Sequence, residues 1–90
     1  MRFEWNAQKD EENRTKHDVS FDEASTVFAD SLAATIPDPD HSEAELRFLT
    51  MGQSSAGRLL VVSHTEEESD LFRIINAREV TSHERKTYES

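Results

Sequence analysis

Apolar and polar residues alternate over Met1–Trp5, with Met1, Phe3 and Trp5 set against Arg2 and Glu4, the period of a half-buried strand. Asn6 predicts the N-cap of a polar helix running from Ala7 to about Lys16, with acidic residues in its first turns. Almost no large apolar residue falls in that helix, so it should pack through few contacts or cover an edge that faces a partner. A second helix is predicted after Val19. Ser20 and Glu23 have the spacing of a capping box, and Val19 and Ala24 that of a hydrophobic staple. Phe21, Ala24, Val27 and Phe28 then form one apolar stripe.

Leu32–Ile36 reads as a strand stopped by the turn Pro37-Asp38-Pro39-Asp40. Glu45–Met51 alternates, the Ser-rich Gly52–Gly57 forms a hairpin loop, and Arg58–Thr65 is the returning strand. The acidic turn Glu66–Asp70 leads into Leu71–Ala77, where Leu71, Arg73 and Ile75 should face one side and Phe72, Ile74 and Asn76 the other. Val80–Tyr88 is a helix, with Thr81 or Ser82 near its start and Arg85 and Lys86 toward its end. The order is β-α-α-β-β-β-β-α. Short connections between the last four strands predict an α+β fold in which one antiparallel sheet, its central strands covered on much of both faces, packs with helices.

Ninety residues make one domain. The longest apolar run, Leu59–Val62, is far below the ~20 residues of a membrane span, so no membrane association is expected. Met1–Trp5 runs straight into a charged segment and does not read as a secretory leader. With no cysteine, disulfides, thiolate metal sites and a thiol nucleophile are excluded, and the cytoplasm is the expected compartment. The net charge of −9 is uneven: residues 1–45 hold four Lys/Arg against twelve Asp/Glu, and residues 46–90 hold six against seven. Bulk electrostatics therefore repels nucleic acid, and any RNA site must be a local cluster of cations, most readily in the second half. The acidic first half equally suits a basic partner.

Gly52-Gln53-Ser54-Ser55-Ala56-Gly57-Arg58 has the glycine spacing of a phosphate-binding P-loop, but Arg58 stands for its lysine and Leu59 for its Ser/Thr, and a strand follows where a helix is needed. It reads as a hairpin turn. His17, His41, His64 and His83 are dispersed, and Asp38-Pro39-Asp40-His41 is more simply a stiff turn than a cation loop, so neither metal nor other cofactor is expected. Lys16 and His17 suit a helix C-terminus. They equally suit phosphate-charge stabilisation and proton transfer. Glu23 serves either as the capping-box acid or as a base toward a ribose hydroxyl. Arg58, Arg73 and Arg78 open, occupy and close strands. An arginine between Phe72 and Ile74 points to an edge, an anion or a salt bridge to Glu45 or Glu23.

Phe3-Glu4-Trp5, Asn13, Lys16-His17, Val19-Ser20-Phe21-Asp22-Glu23-Ala24, Val27-Phe28 and Asp38-Pro39-Asp40-His41-Ser42-Glu43 follow one familiar order. Met51-Gly52, Gly57-Arg58-Leu59-Leu60-Val61-Val62, His64-Thr65, Arg73-Ile74-Ile75-Asn76-Ala77-Arg78 and Glu84-Arg85-Lys86-Thr87-Tyr88 continue it. Over essentially its whole length the chain resembles the BrnT-like toxins. The resemblance implies the toxin of a type II toxin–antitoxin pair, a RelE-like ribonuclease fold and metal-independent RNA cleavage. It also implies neutralisation by a ribbon-helix-helix antitoxin, through which the complex reaches its own promoter DNA as an autorepressor. The family's site carries over to Lys16, Glu23, Arg58, Arg73 and Arg78, with His17 and His64 nearby. Members often have glycine after the Lys-His pair, where this chain has Asp18.

The expected chemistry is attack of a ribose 2′-hydroxyl, deprotonated by Glu23 or His17, on the adjacent phosphorus. Arg58, Arg73 and Lys16 would stabilise the developing charge and Arg78 would position the phosphate, the guanidinium groups gathering in one pocket. The alternative is a non-catalytic antitoxin-binding or co-repressor module in which the arginines are structural. Antitoxin contact is expected on the first helix, within residues 6–20, and on an exposed sheet edge.

Overall fold

The computed structural model describes residues 1–40 and 45–89, so His41, Ser42, Glu43, Ala44 and Ser90 lie outside the described residues. Five strands, β1 (Arg2–Glu4), β2 (Ala34–Pro37), β3 (Arg47–Gln53), β4 (Leu59–Glu67) and β5 (Leu71–Glu79), form one sheet in the order β1-β5-β4-β3-β2. Helices α1 (Ala7–His17) and α2 (Phe21–Ser25), the latter continued by a 3₁₀ turn over Thr26–Ala29, separate β1 from β2, and α3 (Ser82–Glu89) follows β5. None of these helices is long and apolar enough to cross a membrane.

The α+β class holds, but the sheet is mixed. β2 to β5 pair antiparallel in sequence order as their short connections require, whereas β1 runs parallel to β5 on the far edge. Two helices lie between β1 and β2 in the chain, so no hairpin ties β1 to its successor, and parallel pairing is open to it.

Asn6 caps α1 by accepting from the N–H groups of Gln8 (2.9 Å) and Lys9 (3.0 Å). At the other end Asp18 takes the left-handed conformation (φ 58°) and its N–H bonds the Arg14 carbonyl, a termination that glycine makes most easily. The residue buried along α1 is Asn13. Its side chain donates to the Val19 and Ala77 carbonyls and accepts from the Ala77 N–H, so the helix docks on β5 through an amide in place of an apolar stripe.

Ser20 caps α2 through the Glu23 N–H, with Val19 and Ala24 both buried beside it. Hydroxyls of Ser25 and Thr26 bond back to the Asp22 and Glu23 carbonyls, and the helix tightens to 3₁₀ there. Phe21, Ala24 and Val27 nonetheless keep one face, fully buried on Leu60, Val62, Ile74 and Ala77, with Phe3, Trp5 and Phe28 packed around them. β3 passes close over this turn: a Cβ on Gly52 would lie 2.9 Å from both the Ala33 Cβ and the Val27 Cγ1. The Gly52–Arg58 segment is the expected hairpin turn, closed by Ser54 N–H to the Arg58 carbonyl, with Gly57 at φ 82°.

The alternation expected along β5 is broken by a bulge. Ser63 pairs with Asn76 but His64 with Ile74, leaving Ile75 extra. Arg73 and Arg78, an odd number of residues apart, would face opposite sides of a regular strand. With the bulge between them they pair with Thr65 and Val61, which lie on one face of β4, the face away from the core. Arg47, paired with Thr65 from the other side, joins them there.

Candidate functional site

Cations line both sides of β5. On the helix side, Lys16 and His17 project from the last turn of α1 into a shallow groove of 290 Å³ that also takes in Lys9, Glu12, Asn13, Ile75 and Asn76. The Asn76 amide is turned to α1 by a bond to the Asn13 Oδ1. Neither Lys16 nor His17 has an ion-pair partner among the described residues. Immediately after them, the Asp18 carbonyl accepts from the Arg58 Nη2 at 2.8 Å, which links this helix end to the start of β4.

Arg58 and Glu23 meet directly: Nε donates to Oε2 at 3.0 Å and Nη2 to Oε1 at 2.5 Å, and the Ser54 hydroxyl adds a bond to Oε2 at 2.7 Å. The bidentate guanidinium holds the Glu23 carboxyl below the ordinary carboxylate range, and the carboxylate in turn raises Arg58. Of the two anticipated roles for Glu23, the capping box is half-made. Ser20 caps the helix, but the acid that would reach back to it is drawn to Arg58. A carboxylate so stabilised in its charged form is a weak base.

On the opposite face, Arg78 makes a second bidentate pair, with Glu84 of α3 at 2.8 and 2.9 Å. Glu84 also completes a reciprocal capping box, accepting from the Thr81 N–H while the Thr81 hydroxyl accepts from its own N–H. These bonds, the Arg78 guanidinium foremost, pull the Glu84 carboxyl down to about 2. Arg73 is half-exposed and looser, with Glu4 at 3.6 Å and Glu67 at 3.5 Å.

The expectation of a single guanidinium pocket is therefore not met. Each of Arg58, Arg73 and Arg78 lies against an acid, Arg58 on the helix side of the sheet and the other two on the outer face. The bridge expected of Arg73, to Glu45 or Glu23, does not form: Arg73 lies against Glu4 and Glu67, Glu23 is taken by Arg58, and Glu45 pairs with Arg47 at 3.7 Å. His64 is fully buried, stacked on Phe72 at 5.4 Å and edge-on to Phe28 at 4.9 Å, and so is walled off from any substrate. Its Nδ1 lies 3.3 Å from the Thr65 carbonyl, which only accepts. The proton is therefore on Nδ1, and Nε2 accepts from the Thr50 hydroxyl at 2.7 Å. Burial lowers its pKa. Asp38 and Asp40 form a turn in which the Asp38 carboxylate accepts the Asp40 N–H at 3.0 Å, while His41 lies outside the described residues.

Asn76 and Lys9 were not expected at the site, although both line the groove. For Asn76 the signal was present as a lone amide within the apolar run Ile74–Ala77. Lys9 carried none, since a lysine on a polar helix is unremarked.

The model of the family described as the ribonuclease toxin BrnT of type II toxin–antitoxin systems matches residues 5–84. In fold the chain is similar to the crystal structure of the Brucella abortus ribonuclease toxin BrnT, with a TM-score of 0.71 over 91% of this chain and 99% of that one at 19% identity. No curated protein matches it. A family pattern that runs from the end of the first strand into the last helix leaves one assignment: this chain belongs to the BrnT ribonuclease toxins of type II toxin–antitoxin systems.

Proposed function

We propose that the chain is a metal-independent endoribonuclease in which the Lys16–His17 end of α1 is the reacting centre. The observation that carries this reading is the groove itself, where an ammonium and an imidazole without acidic partners among the described residues face the Asn76 amide. Histidine is the side chain suited to exchange protons near neutral pH. His17 takes the proton of a ribose 2′-hydroxyl as that oxygen attacks the adjacent phosphorus, and Lys16 stabilises the charge gathering on the phosphoryl oxygens. The P–O5′ bond breaks, leaving a 2′,3′-cyclic phosphate and a 5′-oxygen that is protonated from water. The nucleophile belongs to the substrate and the countercharge to side chains.

Glu23 and Arg58 act by position. Their bidentate pair and the Arg58 bond to the Asp18 carbonyl fix the end of α1 that carries Lys16 and His17. Arg73 and Arg78 hold flanking phosphates on the outer face, the RNA strand crossing the β5 edge at Ile75–Asn76.

The toxin's partner in this reading is a ribbon-helix-helix antitoxin, which binds the promoter DNA of the pair. The test is expression of the chain alone in growing cells, with total RNA followed by primer extension. Wild type arrests growth and cleaves RNA, and Lys16→Ala and His17→Ala each lose about 10²–10³ in cleavage rate in vitro. Full activity in both variants removes the groove from the chemistry.

The three arginine–carboxylate pairs favour a second reading, in which the chain binds antitoxin without cutting RNA. Tight antitoxin binding with neither arrest nor cleavage by the wild type selects it.

A further inference from the structure

A hollow of 370 Å³ lies on the outer face of the sheet, and the Lys16–His17 groove does not include it. Its apolar floor is made by Leu49, Val61 and Ile75, one from each of three adjacent strands. Arg47 and Arg78 stand at its sides, each with an acid on it (Glu45 at 3.7 Å, Glu84 at 2.8 Å) that a phosphate would have to share. Asp38, Ser63 and Asn76 complete the lining, and Asp40 stands exposed at its rim.

The rim is pre-organised. Asp38, between Pro37 and Pro39, bonds the Arg47 carbonyl through its N–H at 2.8 Å, and its buried carboxylate accepts the Asp40 N–H, so the turn that ends in Asp40 is tied to β3. Ile75 and Asn76, at the bulge, line both this hollow and the groove that holds Lys16 and His17. A strand whose backbone passes one side can thus place a base on the other.

An apolar floor with a guanidinium group on either side suits a heterocycle attached to phosphates. The acid at the rim selects among heterocycles, because an ionised carboxylate only accepts. Guanine alone among the four RNA bases presents two adjacent donors, N1–H and the N2 amino group, on its pairing edge. Adenine and cytosine set their amino group beside an acceptor, and uracil flanks its N3–H with two carbonyls.

We propose that this hollow is a guanine subsite: the base lies on Leu49, Val61 and Ile75, Asp40 accepts from its pairing edge, and Arg47 and Arg78 bind the phosphates on either side. As a determinant of where RNA is cut, this rests on the nuclease reading above; as a nucleotide site it is tested without it.

The experiment is titration of the full chain with the four ribonucleoside 5′-monophosphates, followed by methyl and amide NMR. Guanosine monophosphate is expected to bind at least about tenfold tighter than the other three and to shift Leu49, Val61 and Ile75. Asp40→Asn is expected to bring the four within about threefold of one another. Equal binding of the four, no binding, shifts confined to the Lys16–His17 groove, or an undiminished preference in Asp40→Asn each overturns the subsite. On RNA, Asp40→Asn should cut with a flattened base preference. Wild-type cleavage indifferent to guanine ends the subsite and spares the nuclease. Selective guanosine monophosphate binding by a chain that cuts no RNA does the reverse.

Discussion

Arg58 grips Glu23 through two nitrogens, at 3.0 and 2.5 Å, and with the same Nη2 reaches the Asp18 carbonyl at 2.8 Å. One guanidinium therefore fixes the start of α2 and the end of α1 together. Glu23→Gln and Arg58→Ala should each lower stability by about 2 kcal/mol, because each leaves a half-buried partner of a charge-assisted bond unmatched. With Glu23 as a positioning residue, Glu23→Gln keeps most of its cleavage under conditions where it is fully folded. His17→Ala does not. Denaturant melts paired with single-turnover cleavage separate the two effects, and loss of chemistry in a folded Glu23→Gln would transfer the base role to the carboxylate.

His64 makes stability depend on pH near neutrality. Burial holds its pKa below the ordinary 6.5, so as pH falls through about 6.5 the unfolded chain takes up a proton that the folded chain refuses. Stability is full above that point and declines as pH falls toward the folded pKa. Urea unfolding at pH 7.5 and 5.5 should show the drop, and His64→Gln should flatten it.

Glu84 acts in a lower window. Its carboxyl is drawn from 4.5 to about 2, so the stability it contributes is present above 4.5 and lost as pH falls toward about 2. Glu84→Gln removes that acid-side slope and loosens α3 from Arg78. Amide exchange over residues 82–89 is the measurement, and unchanged protection in the variant would show that other contacts hold the helix.

The two glycines should respond differently to alanine. At Gly52 the added Cβ meets Ala33 and Val27 at 2.9 Å, and a cost of about 1–3 kcal/mol is expected from the forced separation of β3 and the 3₁₀ turn. At Gly57 nothing lies within 4 Å and only the φ of 82° resists, for about 1 kcal/mol. Thermal melts of the two variants rank them.

Much of this architecture is written in local pattern. Asn6, Ser20 and Thr81 or Ser82 announced three helix starts, and the alternation of Glu45–Met51, the Gly52–Gly57 loop and the apolar run Leu59–Val62 placed the central hairpin. Two things were not legible. The parallel seat of β1 depends on a strand almost seventy residues away, and no local signal encodes it. The bulge at Ile75 reverses the facing of all that follows, so strict alternation set Arg73 and Arg78 apart when they share a face. The same limit applies to the site. Charge and residue type singled out Glu23 and Arg58, but that each would occupy the other follows from how α2 lies on β4.

The side chain of Asn13 occupies the place beside Ala77 where a neighbouring strand would bond, since β1 covers β5 only as far as Arg73. A surrogate of this kind seals the margin against pairing with another molecule's strand. It also ties the first helix to the last strand through both hydrogen-bonding groups of Ala77.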